Sequence, residues 1–219
     1  MDKNTVNGDG ETDMKNLIFD MGGVLITYDP EYFLTRAGIV NADDRALLMG
    51  AVFRSPEWGM LDRGMLDEAG LEPIALSRLP ERLHAVARSL IWEWFRPLEP
   101  IPGMAELIAA YKARGCGIYL LSNASYMQPE YWPDIPGSAL FDGAVVSALE
   151  KRVKPEPEIF HILLDRYGLR AEDCVFIDDM QKNVDAAEAV GIKAIRFDGS
   201  ADDLCRQLDA VIGGSGEDQ

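Results

Sequence analysis

Five polar residues in this chain stand directly behind short apolar runs. Asp20 follows Leu17-Ile18-Phe19, Ser122 and Asn123 follow Ile118-Tyr119-Leu120-Leu121, and Asp178 and Asp179 follow Cys174-Val175-Phe176-Ile177. A further element, Lys154-Pro155, lies in the loop before a helical pattern. Together these residue types can do one kind of chemistry. A carboxylate can attack phosphorus and form an aspartyl-phosphate, which splits one hard step into two. The charge on the phosphoryl oxygens must then be neutralised and held. A hard dication with oxygen ligands can do this, and Asp20 and Asp178 could share it. A lysine adds a fixed positive charge, and Ser122 with nearby backbone N–H groups supplies hydrogen bonds. Bland readings stand beside this one. An aspartate at a strand end can simply cap a helix, Ser-Asn can be an ordinary turn, and Lys154 can be a surface lysine.

The chemistry requires elements that bring these positions together. The three runs, with Ala144-Val145-Val146 and Ala194-Ile195-Arg196-Phe197, are short and lack polar alternation. Such runs suit strands buried on both faces of a parallel sheet. Helical patterns fall between them: Met104 to Arg114 closing at Gly115, Pro157 to Tyr167 closing at Gly168, and Asn183 to Val190 closing at Gly191,. Alternating strands and helices predict a Rossmann-like, doubly wound α/β core. Open sheets of this kind hold ligands just past their strand ends. That is where the five polar residues lie.

The stretch from Asp29 to Leu98 is far too long for one crossover and contains no good strand. It predicts helices over Glu31 to Ala37, Asp43 to Phe53, Leu66 to Leu76 (with a break at Pro73) and Glu81 to Trp94. We read residues 29–98 as a small helical cap inserted after the first strand, and residues 15–28 with 99–212 as the core domain. The polar segments 1–14 and 213–219 read as disordered tails. In the cap, Trp58, Asp62 and Arg63 form a polar-aromatic group that could face a substrate or could equally be a solvated helix face.

Composition limits the partners. The 219 residues carry a formal net charge of -16, with no basic run. This opposes binding to nucleic acid backbones or anionic membranes. No apolar stretch approaches membrane-spanning length. The cysteines, Cys116, Cys174 and Cys205, are odd in number with no close pair; this favours reduced thiols and a cytoplasmic protein. His84 and His161, the only histidines, fall within helical patterns and match no motif.

Four segments in order, Phe19-Asp20-Met21-Gly22-Gly23-Val24-Leu25, Leu121-Ser122-Asn123, Lys154-Pro155-Glu156-Pro157 and Phe176-Ile177-Asp178-Asp179 followed by Asn183 and Gly191, resemble the haloacid dehalogenase superfamily. The resemblance runs from about Asn16 to Ile212. Within the superfamily the chain is most similar to bacterial α-glucose-1-phosphate phosphatases. The resemblance implies a magnesium-dependent phosphatase acting on a small phosphorylated metabolite, with a sugar phosphate as the first expectation. It implies Asp20 as nucleophile and magnesium ligand, the Gly22 carbonyl and Asp178 as further ligands, and Asp179 close by. Ser122, Asn123 and the Gly22-Gly23 backbone would bind the phosphoryl group, and Lys154 would hold that group and Asp20. One departure matters: the superfamily's phosphatases usually carry a second aspartate two positions after the nucleophile, as general acid and base, and here that position is Gly22. Either the leaving group departs with little help, or a cap residue supplies the proton. Two rival readings follow from the same departure: a haloacid dehalogenase, whose halide needs no proton, and a catalytically silent ligand-binding relative.

Overall fold

The computed structural model describes residues 16–213. The expected tails over 1–14 and 214–219 lie outside the described residues, while Gly213 is the last residue of the final helix. In chain order, β1 (Asn16–Phe19) is followed by α1 (Pro30–Arg36), α2 (Ala42–Ala51), α3 (Pro56–Asp62), α4 (Glu68–Ser77) and α5 (His84–Trp92). Then come α6 (Met104–Ala113), β2 (Gly117–Ser122), α7 (Gln128–Tyr131), β3 (Gly143–Val146) and α8 (Ser147–Glu150). The chain finishes with α9 (Pro157–Tyr167), β4 (Cys174–Asp178), α10 (Gln181–Ala189), β5 (Lys193–Arg196) and α11 (Ala201–Gly213).

The strands form one parallel sheet in the order β3-β2-β1-β4-β5. Side chains alternate across it with period two, and both faces are covered. On one face Leu17, Phe19, Leu120 and Ile177 pack against Leu107 and Ile108 of α6 and Leu204 of α11. On the other, Ile18, Leu121, Val145 and Phe176 pack against Ile159, Phe160 and Leu163 of α9 and Ala187 of α10. Burial on both faces is why the strands read as continuous apolar runs.

Register places the polar residues. Phe19 pairs with Leu120 on one side and Ile177 on the other. One residue further, the Asp20 N–H still donates to the Ile177 carbonyl at 2.9 Å. Asp20 is thereby set between the ends of β2 and β4, level with Asp178.

Helices α1–α5 pack around a separate apolar cluster that includes Leu34, Leu48, Leu61, Leu71 and Ile91. Asn41, Ser55 and Asp67 cap α2, α3 and α4 by accepting from the N–H groups of Asp44, Trp58 and Gly70. Two details differ from the sequence expectation. Helix α4 runs through Pro73 instead of breaking there, because Leu71 and Ala75 on its inner face are fully buried in the cluster. Helix α3, which carries Trp58 and Asp62, was not expected from hydrophobic periodicity; its signal is Ser55 at the N-cap followed by Pro56 in the first turn,. The closing helix α11 was likewise not expected. Among the described residues, no helix is long and apolar enough to cross a membrane.

Candidate active site

Asp20 is the centre of the site. Its Oδ1 accepts from the Met21 N–H at 2.7 Å and lies 2.8 Å from the Lys154 ammonium. The same ammonium reaches Asp178 Oδ2 at 2.7 Å. Asp178 is fully buried, and Lys154 nearly so. Asn183, at the start of α10, donates to both Asp178 oxygens at 3.0 Å, and the Met180 N–H donates to Asp178 Oδ1 at 2.8 Å. Asp179 completes a carboxylate cluster: one oxygen from each of Asp20, Asp178 and Asp179 lies within 4.8 Å of the others.

Electrostatics follow from the packing. Burial raises the Asp20 pKa to about 7; the Lys154 charge opposes that shift and the Asp178 charge adds to it. Burial works against the Lys154 ammonium, but Asp20 and Asp178 outweigh it and hold the lysine above its ordinary range. Asp179 is also raised, by burial and by the neighbouring Asp178. Two buried carboxylates and a half-buried third, with a single lysine beside them, are a donor set suited to a hard, oxygen-seeking dication,. The backbone leaves room for the Asp179 carboxylate. Gly23 adopts φ +78, and a Cβ there would stand 2.6 Å from an Asp179 carboxylate oxygen.

The site opens into a cavity of about 230 Å³ between the strand ends and the helices inserted after β1. Asp20, Gly22, Asn123, Lys154, Asp179 and Asn183 form its floor. Trp58, Leu61, Asp62, Glu68 and Trp94 line it from the inserted segment, with Tyr28 and Tyr131 as further aromatic walls. Burial lifts the hydroxyl pKa values of Tyr28 and Tyr131 well above the ordinary tyrosine range.

The segment that carries Asp62 is fastened to the core. Ser147 donates to the Asp62 carbonyl and Arg63 pairs with Glu156. The Gly64 carbonyl accepts from Lys151 and from the Tyr126 hydroxyl, the latter at 3.1 Å. Gly64 itself, at φ +64, lies so close to α8 that a Cβ would fall 2.1 Å from the Ala148 carbonyl oxygen. Glu68 accepts a hydrogen bond from Ser125.

The positions singled out in the sequence take different places. Asp20, Lys154, Asp178 and Asp179 converge. Gly22 lines the cavity; Gly23 backs onto Asp179. The Asn123 side chain binds the Lys154 backbone in both directions, donating to its carbonyl at 3.0 Å and accepting from its N–H at 2.8 Å. It therefore positions Lys154. Ser122 is not part of the cavity lining; its Oγ is buried without a hydrogen-bond partner. Trp58 and Asp62 face the cavity, whereas Arg63 turns to Glu156. Sequence reasoning missed Tyr28, Glu68, Trp94 and Tyr131 as lining residues.

A parallel α/β sheet with an acidic cluster at its strand ends and a helical insertion over it defines a class of hydrolase. The sequence model of the haloacid dehalogenase-like hydrolases matches residues 14–191, and the chain belongs to that family. Among curated relatives, the sesquiterpene phosphatase astK of Aspergillus oryzae is 29% identical over 212 residues, covering 92% of this chain and 98% of that one. The fructose-1-phosphate phosphatase YqaB of Escherichia coli is 27% identical over 186 residues, covering 82% and 94%. Among solved structures, the HAD family enzyme bt-2542 of Bacteroides thetaiotaomicron, in complex with magnesium and inorganic phosphate, superposes with a TM-score of 0.64 at 23% identity, covering 85% and 96%.

Proposed function

We propose that the chain is a magnesium-dependent phosphomonoester hydrolase acting through an aspartyl-phosphate on Asp20. Its substrate is a small phosphorylated metabolite, with sugar phosphates first in line. The observation that carries this reading is the Lys154 ammonium held between Asp20 and Asp178, at the floor of a cavity that also exposes Asp179. Lys154 orients Asp20 and offers positive charge to an entering phosphoryl group. Both the Met21 N–H and Lys154 fall on Asp20 Oδ1, which leaves Oδ2 clear for attack on phosphorus. Magnesium, held by Asp20, the Gly22 carbonyl and Asp178 with Asp179 beside it, would neutralise the phosphoryl oxygens and favour the ionised form of Asp20.

The relatives named above act on a sugar phosphate and on a sesquiterpenoid, and the cavity suits both. Aromatic walls stack on sugar rings and also pack isoprenoid chains. The test is phosphate release over a panel of sugar 1-phosphates, sugar 6-phosphates and a sesquiterpenyl monophosphate, with and without magnesium. Magnesium-dependent release that falls to background in Asp20→Asn is expected. Activity retained in that variant would overturn the nucleophile assignment, and chelator-insensitive release would overturn the metal.

A further inference from the structure

Cleaving an alkyl phosphate leaves an alkoxide that needs a proton, and breaking the aspartyl-phosphate needs a base for water. The cluster on the floor offers neither group. Asp20 is the nucleophile, Lys154 and Asp178 hold each other, and Asp179 belongs with the metal. The position over Gly22 is closed as well, because a Cβ there would lie 3.1 Å from Tyr28 Cβ and 3.4 Å from Tyr28 Cγ. The Tyr28 ring fills that space and packs edge-on against Phe33 and Trp94.

Four other titratable groups line the cavity besides Asp62. Glu68 is engaged by Ser125. Lys182 is exposed to solvent. Burial holds Tyr28 and Tyr131 firmly in their neutral forms, which disqualifies them as bases. Asp62 differs from all four. Its backbone is fixed by Ser147, and its neighbours Arg63 and Gly64 are tied to Glu156, Lys151 and Tyr126. Asp62 lines the cavity, and among the described residues no hydrogen bond draws its side chain away.

We propose that Asp62, supplied by the inserted helices, is the general acid and base of the reaction; this rests on the phosphatase reading. In the first step Asp20 Oδ2 bonds to phosphorus as the ester P–O bond breaks, and the Asp62 carboxyl gives its proton to the departing oxygen. The alcohol leaves, Asp20 carries the phosphoryl group, and Asp62 is a carboxylate. In the second step water attacks that phosphorus and Asp62 takes its proton. The P–O bond to Asp20 breaks, phosphate leaves, and both aspartates return to their starting forms. The environment of Asp62 suits both roles. Burial raises its pKa to about 7; the Lys154 charge opposes the rise and Glu68 adds to it. A group poised near neutrality gives and takes a proton with equal ease. The charged and titratable groups around it are Lys154, Glu68, Tyr28 and Tyr131, with Asp20, Asp179 and Lys182 across the cavity.

The test compares wild type, Asp62→Asn and Asp62→Glu on 4-nitrophenyl phosphate, whose leaving group departs without a proton, and on the best alkyl phosphate of the panel. With 4-nitrophenyl phosphate, Asp62→Asn should release one rapid equivalent of nitrophenol per enzyme. Turnover should then slow about 10²–10⁴-fold, with a phosphorylated Asp20 peptide visible by mass spectrometry. On the alkyl phosphate the same variant should lose turnover without a burst, and Asp62→Glu should recover part of it. Equal slowing on both substrates with no trapped phosphoenzyme, or turnover within a few-fold of wild type, would overturn the role of Asp62. A wild type that releases no phosphate from any substrate would instead overturn the phosphatase reading beneath it.

Discussion

Gly23 shows how narrow the tolerance is at single positions. Its φ of +78 is open to glycine, and the space where a side chain would begin is occupied by the Asp179 carboxylate. Gly23→Ala therefore adds a left-handed backbone cost of about 1–2 kcal/mol and pushes Asp179 away from the cluster. A lower denaturation midpoint together with weaker magnesium binding, followed by calorimetry, is the expected outcome. A variant with wild-type magnesium affinity would show that Asp179 does not need its present position. Asp20, Lys154, Asp178 and Asp179 were legible from the sequence because each sits next to a recognisable strand or proline. Tyr28 and Glu68 were not, because nothing local marks them. Tyr28 matters through the space above Gly22, and Glu68 through its contact with Ser125, 57 positions along the chain.

At the level of elements, helix α3 links stability to the cavity. Ser55 accepts from the Trp58 N–H at 3.2 Å and donates to the Val52 carbonyl at 2.7 Å. The seven residues of α3 then deliver Trp58, Leu61 and Asp62 to the site. Ser55→Ala removes the cap and should cost about 1 kcal/mol in chemical denaturation. Because those side chains line the cavity, KM should rise as well. Unchanged KM with lowered stability would mean that the contacts of Asp62, Arg63 and Gly64 to the core hold this segment without its cap. The element pattern explains which parts of the fold could be read beforehand. Strands buried on both faces announce themselves as unbroken apolar runs, and helices with glycine stops are equally plain. Helix α3 is marked only by Ser55 at its cap and Pro56 in its first turn, with Leu61 as its one buried residue. The passage of α4 through Pro73 depends on burial of Leu71 and Ala75, which only tertiary packing supplies.

For the whole molecule, the net charge of -16 poses a problem for a protein that must accept an anionic phosphate. A cation bound among Asp20, Asp178 and Asp179 would relieve their mutual repulsion and provide local attraction for the substrate,. Magnesium should therefore stabilise the folded chain, by about 2.7 kcal/mol at a concentration of 100 Kd. Thermal melts with magnesium and with excess chelator measure this, and Asp178→Asn should lose most of the difference. A melting temperature that ignores magnesium would count against a metal site in this cluster.

The place of β1 in the sheet has a consequence for synthesis. Among the described strands it is made before the others, yet it lies in the middle, between β2 and β4. The final residue of β4, Asp178, is made 158 positions after Asp20. At about 5–20 residues per second, the nascent strand waits on the order of ten seconds for its second neighbour. During that interval helices α1–α5 emerge, and they can gather around their own apolar cluster. Asp20 is thus made well before the strand and helix that close the pocket around it.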